Sequence, residues 1–88
     1  MTIILKITYK DVGRSKFTGT IEHTVNQDNY KFDAYEVASL AVEDVKHHLM
    51  SSNIECIYDP TLNRGRVIVG GFRTVGTFSV ENSKEVVV

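Results

Sequence analysis

The sequence predicts an α+β domain, a two-layer sandwich of one helix on an antiparallel four- to five-stranded sheet, in the order β-β-α-β-β(-β). Three observations predict it. Apolar and polar residues alternate through residues 2–10, Ile4 excepted, and again through 16–25. Residues 32–37 spell out a helix start. Beyond the helix, β-rich runs at 54–58 and 66–69 are separated by Asp59-Pro60 and Asn63-Arg64-Gly65, which are turn residues.

In the first block Ile3, Leu5, Ile7 and Tyr9 share one face, and Thr2, Ile4, Lys6, Thr8 and Lys10 share the other. Gly13 centres a turn over residues 10–15. The second block puts Phe17, Gly19, Ile21, His23 and Val25 opposite Lys16, Thr18, Thr20, Glu22 and Thr24. Two alternating runs around a short Gly-containing loop make an antiparallel hairpin. After the polar loop 26–29, Asp33 is placed to cap a helix by accepting from the N–H three residues on. Glu36 can reach back to the cap, and Phe32 and Val37 occupy the two staple positions.

From Ala34 onward Val37, Ala38, Ala41, Val42, Val45 and Leu49 fall within a sector of about 140° on a helical wheel. The helix is expected near 34–51, with Asn53 as a left-handed C-terminal residue. Residues 54–58 form a third strand and 66–69 a fourth. Gly70-Gly71 is either a hairpin turn or a bulge, and 72–80 continues as a fifth strand. Residues 83–88 are left as an edge strand or a frayed end. Phe72 and Phe78 could face either way. Residues 1–88 read as a single domain.

With 42% apolar and 24% charged residues, the composition is that of a globular chain. A solitary Cys56 and no N-terminal signal pattern point to a reducing cytoplasm, and residues 2–7 are too short to span a bilayer. The net charge of −1 conceals segregation. Residues 1–20 balance to +3, residues 21–60 to −6 and residues 61–80 to +3. In an up-and-down arrangement the end holding loop 10–16, here pole A, gathers Lys10, Arg14, Lys16, Lys46, His47, His48 and Arg73. Arg64 and Arg66 fall at the opposite end, pole B.

No motif supplies chemistry. His47 and His48 are adjacent and diverge by about 100° on a helix, so they cannot share a metal. Asp44 and His48 are one turn apart and could pair, and Glu43-Asp44 reads as a solvated face. His23 and Cys56 both carry core parity, and a nucleophile would require them to meet. The glycines at 65, 70, 71 and 76 form no phosphate loop. No catalytic, cofactor-binding or metal-ligating residue is therefore assigned, and no cofactor, membrane or small-molecule substrate is expected.

The leading expectation is a small cytoplasmic, non-enzymatic protein-binding module, an inhibitor or accessory protein whose partner is another protein or a second copy of itself. Its contact residues are Ile4, Ile57 and Ile68 on the sheet face the helix leaves open, or an edge strand near the C-terminus. The order of hairpin, capped helix and hairpin resembles small accessory proteins of phages and mobile elements in size and shape. No residue motif names a family. The alternative is a nucleic-acid-binding module using Lys10, Arg14, Lys16 and Arg73 at pole A.

Overall fold

A computed structural model of the chain describes residues 2–26, 32–50 and 53–84, with backbone alone at 83 and 84. One helix packs on a five-stranded antiparallel sheet. Strands β1 (Thr2–Val12) and β2 (Phe17–Asn26) form the first hairpin, and α1 (Ala34–Val45) follows. Strands β3 (Ile54–Asp59), β4 (Arg64–Val69) and β5 (Arg73–Lys84) complete the sheet in the spatial order β2-β1-β5-β4-β3. The helical segment thus carries the chain from one edge of the sheet to the other, and the last strand enters the middle.

Alternation fixes which face is covered. Ile3, Leu5, Ile7 and Tyr9 are fully buried while Thr8 and Lys10 are exposed. The inner face of β1 joins Val37, Ala41 and Val45 of α1, and Cys56, Tyr58, Val67 and Phe78 from the other half. Phe78 is core, with its ring centroid 5.8 Å from Tyr9 and 6.2 Å from Tyr58. Phe72 is 89% exposed in the turn before β5. Gly70 and Gly71 both have positive φ in that turn, which closes Val69 onto Arg73 as a hairpin. A bulge lies nearby, where Val75 is the extra residue between the Val67–Gly76 and Ile68–Thr74 pairs.

The helix begins as expected and ends early. Asp33 caps it in extended conformation, and its carboxylate accepts from Tyr35 N–H at 2.8 Å, two residues on rather than three. Its carbonyl accepts the first helical bond from Val37 N–H. The α-helix stops at Val45 and tightens into a 3-10 turn, Lys46–His48, before Leu49 turns extended. Asn53 does not take the left-handed role: its carbonyl accepts from Gly70 N–H, and the left-handed asparagine is Asn63 in the β3–β4 turn. Ser51 and Ser52, and the loop at 27–31, lie outside the described residues.

Two corrections concern the sheet. Residues 83 and 84 extend β5, which pairs with β1 in the interior, so this strand is not an edge. Residues 85–88 lie outside the described residues. The edges are β2 and β3. The second hairpin is also short, and its register places Arg64 opposite Ser79 and Arg66 opposite Thr77. Ser79 and Thr77 pair in turn with Thr8 and Lys10. Arg64 and Arg66 therefore stand beside the middle of β1 and its pole A end, not at pole B.

Gly65 is required by close approach. A Cβ at this position would lie 2.1 Å from Phe78 Cζ, at the centre of the aromatic core. Gly65→Ala is expected to cost about 1–3 kcal/mol by overpacking, read as a lower urea midpoint at unchanged slope. The same substitution should cost less when Phe78 is already Leu, because the colliding ring is gone.

Candidate functional site

The polar groups under the helix form one small network. Asp44, on the last turn of α1, accepts a hydrogen bond from the Tyr9 hydroxyl at 2.5 Å and lies 2.8 Å from His23 Nε2. Its side chain is 9% exposed and that of His23 20%. Neighbouring Glu43 is exposed and bonds Lys46, which holds its carboxyl below the usual range. The two acids therefore differ: Glu43 is solvated, while Asp44 fastens the helix to β1 and β2. Asp44 does not pair with His48. The His48 ring instead stacks on Phe17 at 3.9 Å and 3° between planes.

His23 and Cys56 do not form a nucleophile pair. Their strands are the opposite edges of the sheet, and His23 is engaged by Asp44. Cys56 is 7% exposed, and burial, followed by the Asp44 and Glu55 charges, pushes its thiol up to about 12. Burial, and then Asp44, also raise the Tyr9 phenol far above its ordinary value. Among the described residues no group of three or more His, Cys, Asp or Glu is arranged to hold a metal ion. No described helix is long and apolar enough to cross a membrane.

The uncovered sheet face carries a shallow cleft of about 720 Å³. Two ladder rows cross it: Thr8, Ser79, Arg64 and Asp59, then Lys10, Thr77, Arg66 and Ile57. Asp59 faces Arg64 in the ladder, yet its carboxylate accepts from Thr61 N–H. Of the three isoleucines expected here, Ile57 is 43% exposed, Ile4 is half-buried and Ile68 is buried. They do not form one patch. Ile4 pairs with Ser83, six residues along β5 from the Ile57 row, or about 20 Å. Leu62, 65% exposed in the β3–β4 turn, is the apolar neighbour that the cleft adds to Ile57.

Pole A holds a second cleft, of about 550 Å³. Arg14, Arg73, His48 and Thr74 supply its polar lining, with Leu49, Val69 and Val75 among its apolar walls. No described residue lining it is acidic. Its backbone is tied down: Gly13 N–H donates to Val75 O at 3.0 Å, and Lys16 N–H donates to Gly13 O at 3.1 Å. Gly13 has φ +74 and sits so close to the 3-10 turn that a Cβ would lie 2.6 Å from His48 O. The four cations expected at this pole thus divide. Arg14 and Arg73 share the cleft, Lys10 lines the cleft on the open face, and Lys16 lines neither. None of the four arginine side chains has a hydrogen bond or ion pair with a described residue.

Sequence reasoning missed the role of Asp44, the Phe17–His48 stack, and the grouping of Lys10 with Arg64 and Arg66. Parity could have placed Arg64 and Arg66 on the open face, but only register brings them to Lys10. No protein-family model matches the chain, and comparisons with curated proteins and with solved structures find no significant match.

Asp44→Ala leaves the buried Tyr9 hydroxyl without its acceptor and is expected to cost about 1–3 kcal/mol in urea unfolding. Tyr9→Phe, which removes donor and need together, should cost less. Cys56 gives an alkaline signature. It loses its proton near 9.0 when unfolded and about 12 when folded. Below the first value both states hold the proton and stability is unaffected; above it only the unfolded chain ionises. Stability is therefore expected to fall as pH rises from 9 toward 12. Cys56→Ala should flatten that decline in chemical denaturation measured across the same range.

Proposed function

We propose that this protein is a non-enzymatic protein-binding module, working in the cytoplasm as a stoichiometric inhibitor or accessory subunit, and that it binds through the open sheet face. The observation that carries this reading is the cleft in which Ile57 and Leu62 are exposed beside Lys10, Arg64 and Arg66. Half-exposed apolar side chains ringed by unpaired cations suit a partner with an apolar protrusion set among carboxylates. Arginine is well adapted to such a contact, since its planar fork meets a carboxylate with two bonds. The threonines and serines along the neighbouring strands add hydrogen-bonding capacity at little cost in side-chain entropy.

Two features support a binding role over catalysis. The lone thiol is buried and held protonated, and the described histidine nearest an acid is already engaged in fastening the helix. The open-face cleft lies across the strands of a sheet, where a partner's surface can be laid against it. Arg66 and Ile57 are paired neighbours in the row that also holds Lys10, joining a cation to the exposed apolar side chain, so they are the residues whose loss should matter most.

The test is capture from the native cytoplasm by the wild-type protein and by an Ile57→Asp/Arg66→Glu variant, with light scattering on each. A discrete partner whose affinity falls by at least about tenfold in the variant is expected. A dimer that the variant dissociates gives the same surface with a second copy as the partner. A monomer that captures nothing, or a partner indifferent to both substitutions, would overturn the reading.

A further inference from the structure

The pole A cleft lies apart from that surface and has a different chemistry. Arg14 and Arg73 approach it from two different turns, and His48 joins them from the end of the helical segment. Each is set on restrained backbone. Arg14 follows Gly13, which is bonded to Val75. Arg73 opens β5 in register with Val69. His48 is clamped face-to-face against Phe17. Two arginines and an imidazole therefore line one space from fixed backbone, and no carboxylate of a described residue lines it to neutralise them.

The geometry points to a site for the phosphate group of a nucleotide, free or carried in a single strand. Arginine forks suit phosphate oxygens, accepting the fixed geometry of two parallel N–H bonds. Thr74 supplies a hydroxyl on the same wall. Phosphate alone would leave the rest of the cleft unfilled. Leu49, Val69 and Val75 offer apolar walls to a flat uncharged body, and Met50, 99% exposed at the rim, offers a polarisable thioether. A volume of about 550 Å³ falls within the range of small-molecule sites and accommodates one nucleotide unit. The exposed Phe72 ring precedes Arg73 directly, where a neighbouring base in a strand could stack.

The experiment uses the full chain, labelled with nitrogen-15, titrated at ~50 mM salt. The probes are adenosine 5′-monophosphate, adenosine, inorganic phosphate and a short oligoadenylate. Saturable shifts at the amides of Gly13, Arg14, Arg73 and Thr74 are expected with the monophosphate and not with adenosine. An Arg14→Gln/Arg73→Gln variant should bind at least about tenfold more weakly, its fold intact because both side chains are exposed and have no partner among the described residues. Ile57→Asp/Arg66→Glu should bind normally, so failure of the protein-binding reading leaves this result independent. Tighter binding of the oligoadenylate than of the monophosphate assigns the phosphate to a strand; equal or weaker binding assigns it to a free nucleotide. Absence of saturable shifts with every phosphate probe would overturn the proposal. So would shifts that survive in the double Gln variant, or inorganic phosphate binding as tightly as the monophosphate.

Discussion

Twelve residues of α1 make a rod about 18 Å long, and five strands span about 19 Å between their outer axes. One helix of that length cannot by itself cover the inner face of strands up to twelve residues long. Its first turns, at Ala34 and Ala38, lie along β3 at one edge. Its last turn reaches back toward β1 and β2 through Asp44. What the rod does not cover is filled by rings: Tyr9, Phe17, Phe78 and Tyr58 form a contiguous aromatic series beneath it. The His48 stack on Phe17 closes the β2 side. Small helix residues, large strand aromatics and a half-buried carboxylate are three answers to the same shortage of helix.

That shortage also organises the surface. With most of the inner face committed to packing, polar groups are left largely to the open face and the loops. The described ion pairs join Asp44 to His23 and Glu43 to Lys46, and both of these acids are on α1. The acids are concentrated in the helical half of the chain, so the arginines, all on the turn after β1 or in the second hairpin, have few neighbours to pair with. Segregation along the sequence becomes separation in space.

Period-two patterning was readable because one face of each strand is wholly buried. Any slip of one residue would have driven Lys6 or Lys10 inward. The helix start was readable because its signals are local, spanning 32–37. Asp44 was not. Its partners Tyr9 and His23 are 35 and 21 residues away, and on a wheel it looks like its solvated neighbour Glu43. The early helix end was hidden for the same reason: Leu49 continues the helical spacing, but tertiary packing against Gly13 and Phe17 takes His48 and Leu49 out of it. For Arg64 and Arg66, parity gives the face and says nothing of the row. The row depends on how far β4 slides along β5, which the bulge at Val75 and the three-residue turn settle together. The open-face cleft was illegible for that reason, while the meeting of Arg14 and Arg73 followed from strand direction alone.

The place of β5 has a consequence for how the chain reaches this structure. It is last in sequence and central in space, lying between β1 and β4. During synthesis both hairpins can form as they emerge, each from local contacts. Neither can be joined to the other, because the strand that bridges them has not been made. β1 must wait with one ladder edge bare while some seventy residues intervene before its second partner arrives. Pairing β5 with β1 is therefore the closure of highest contact order in the sheet, the kind of step that slows folding. Until that moment the nascent chain presents unpaired inner edges, the surfaces on which chains misassociate.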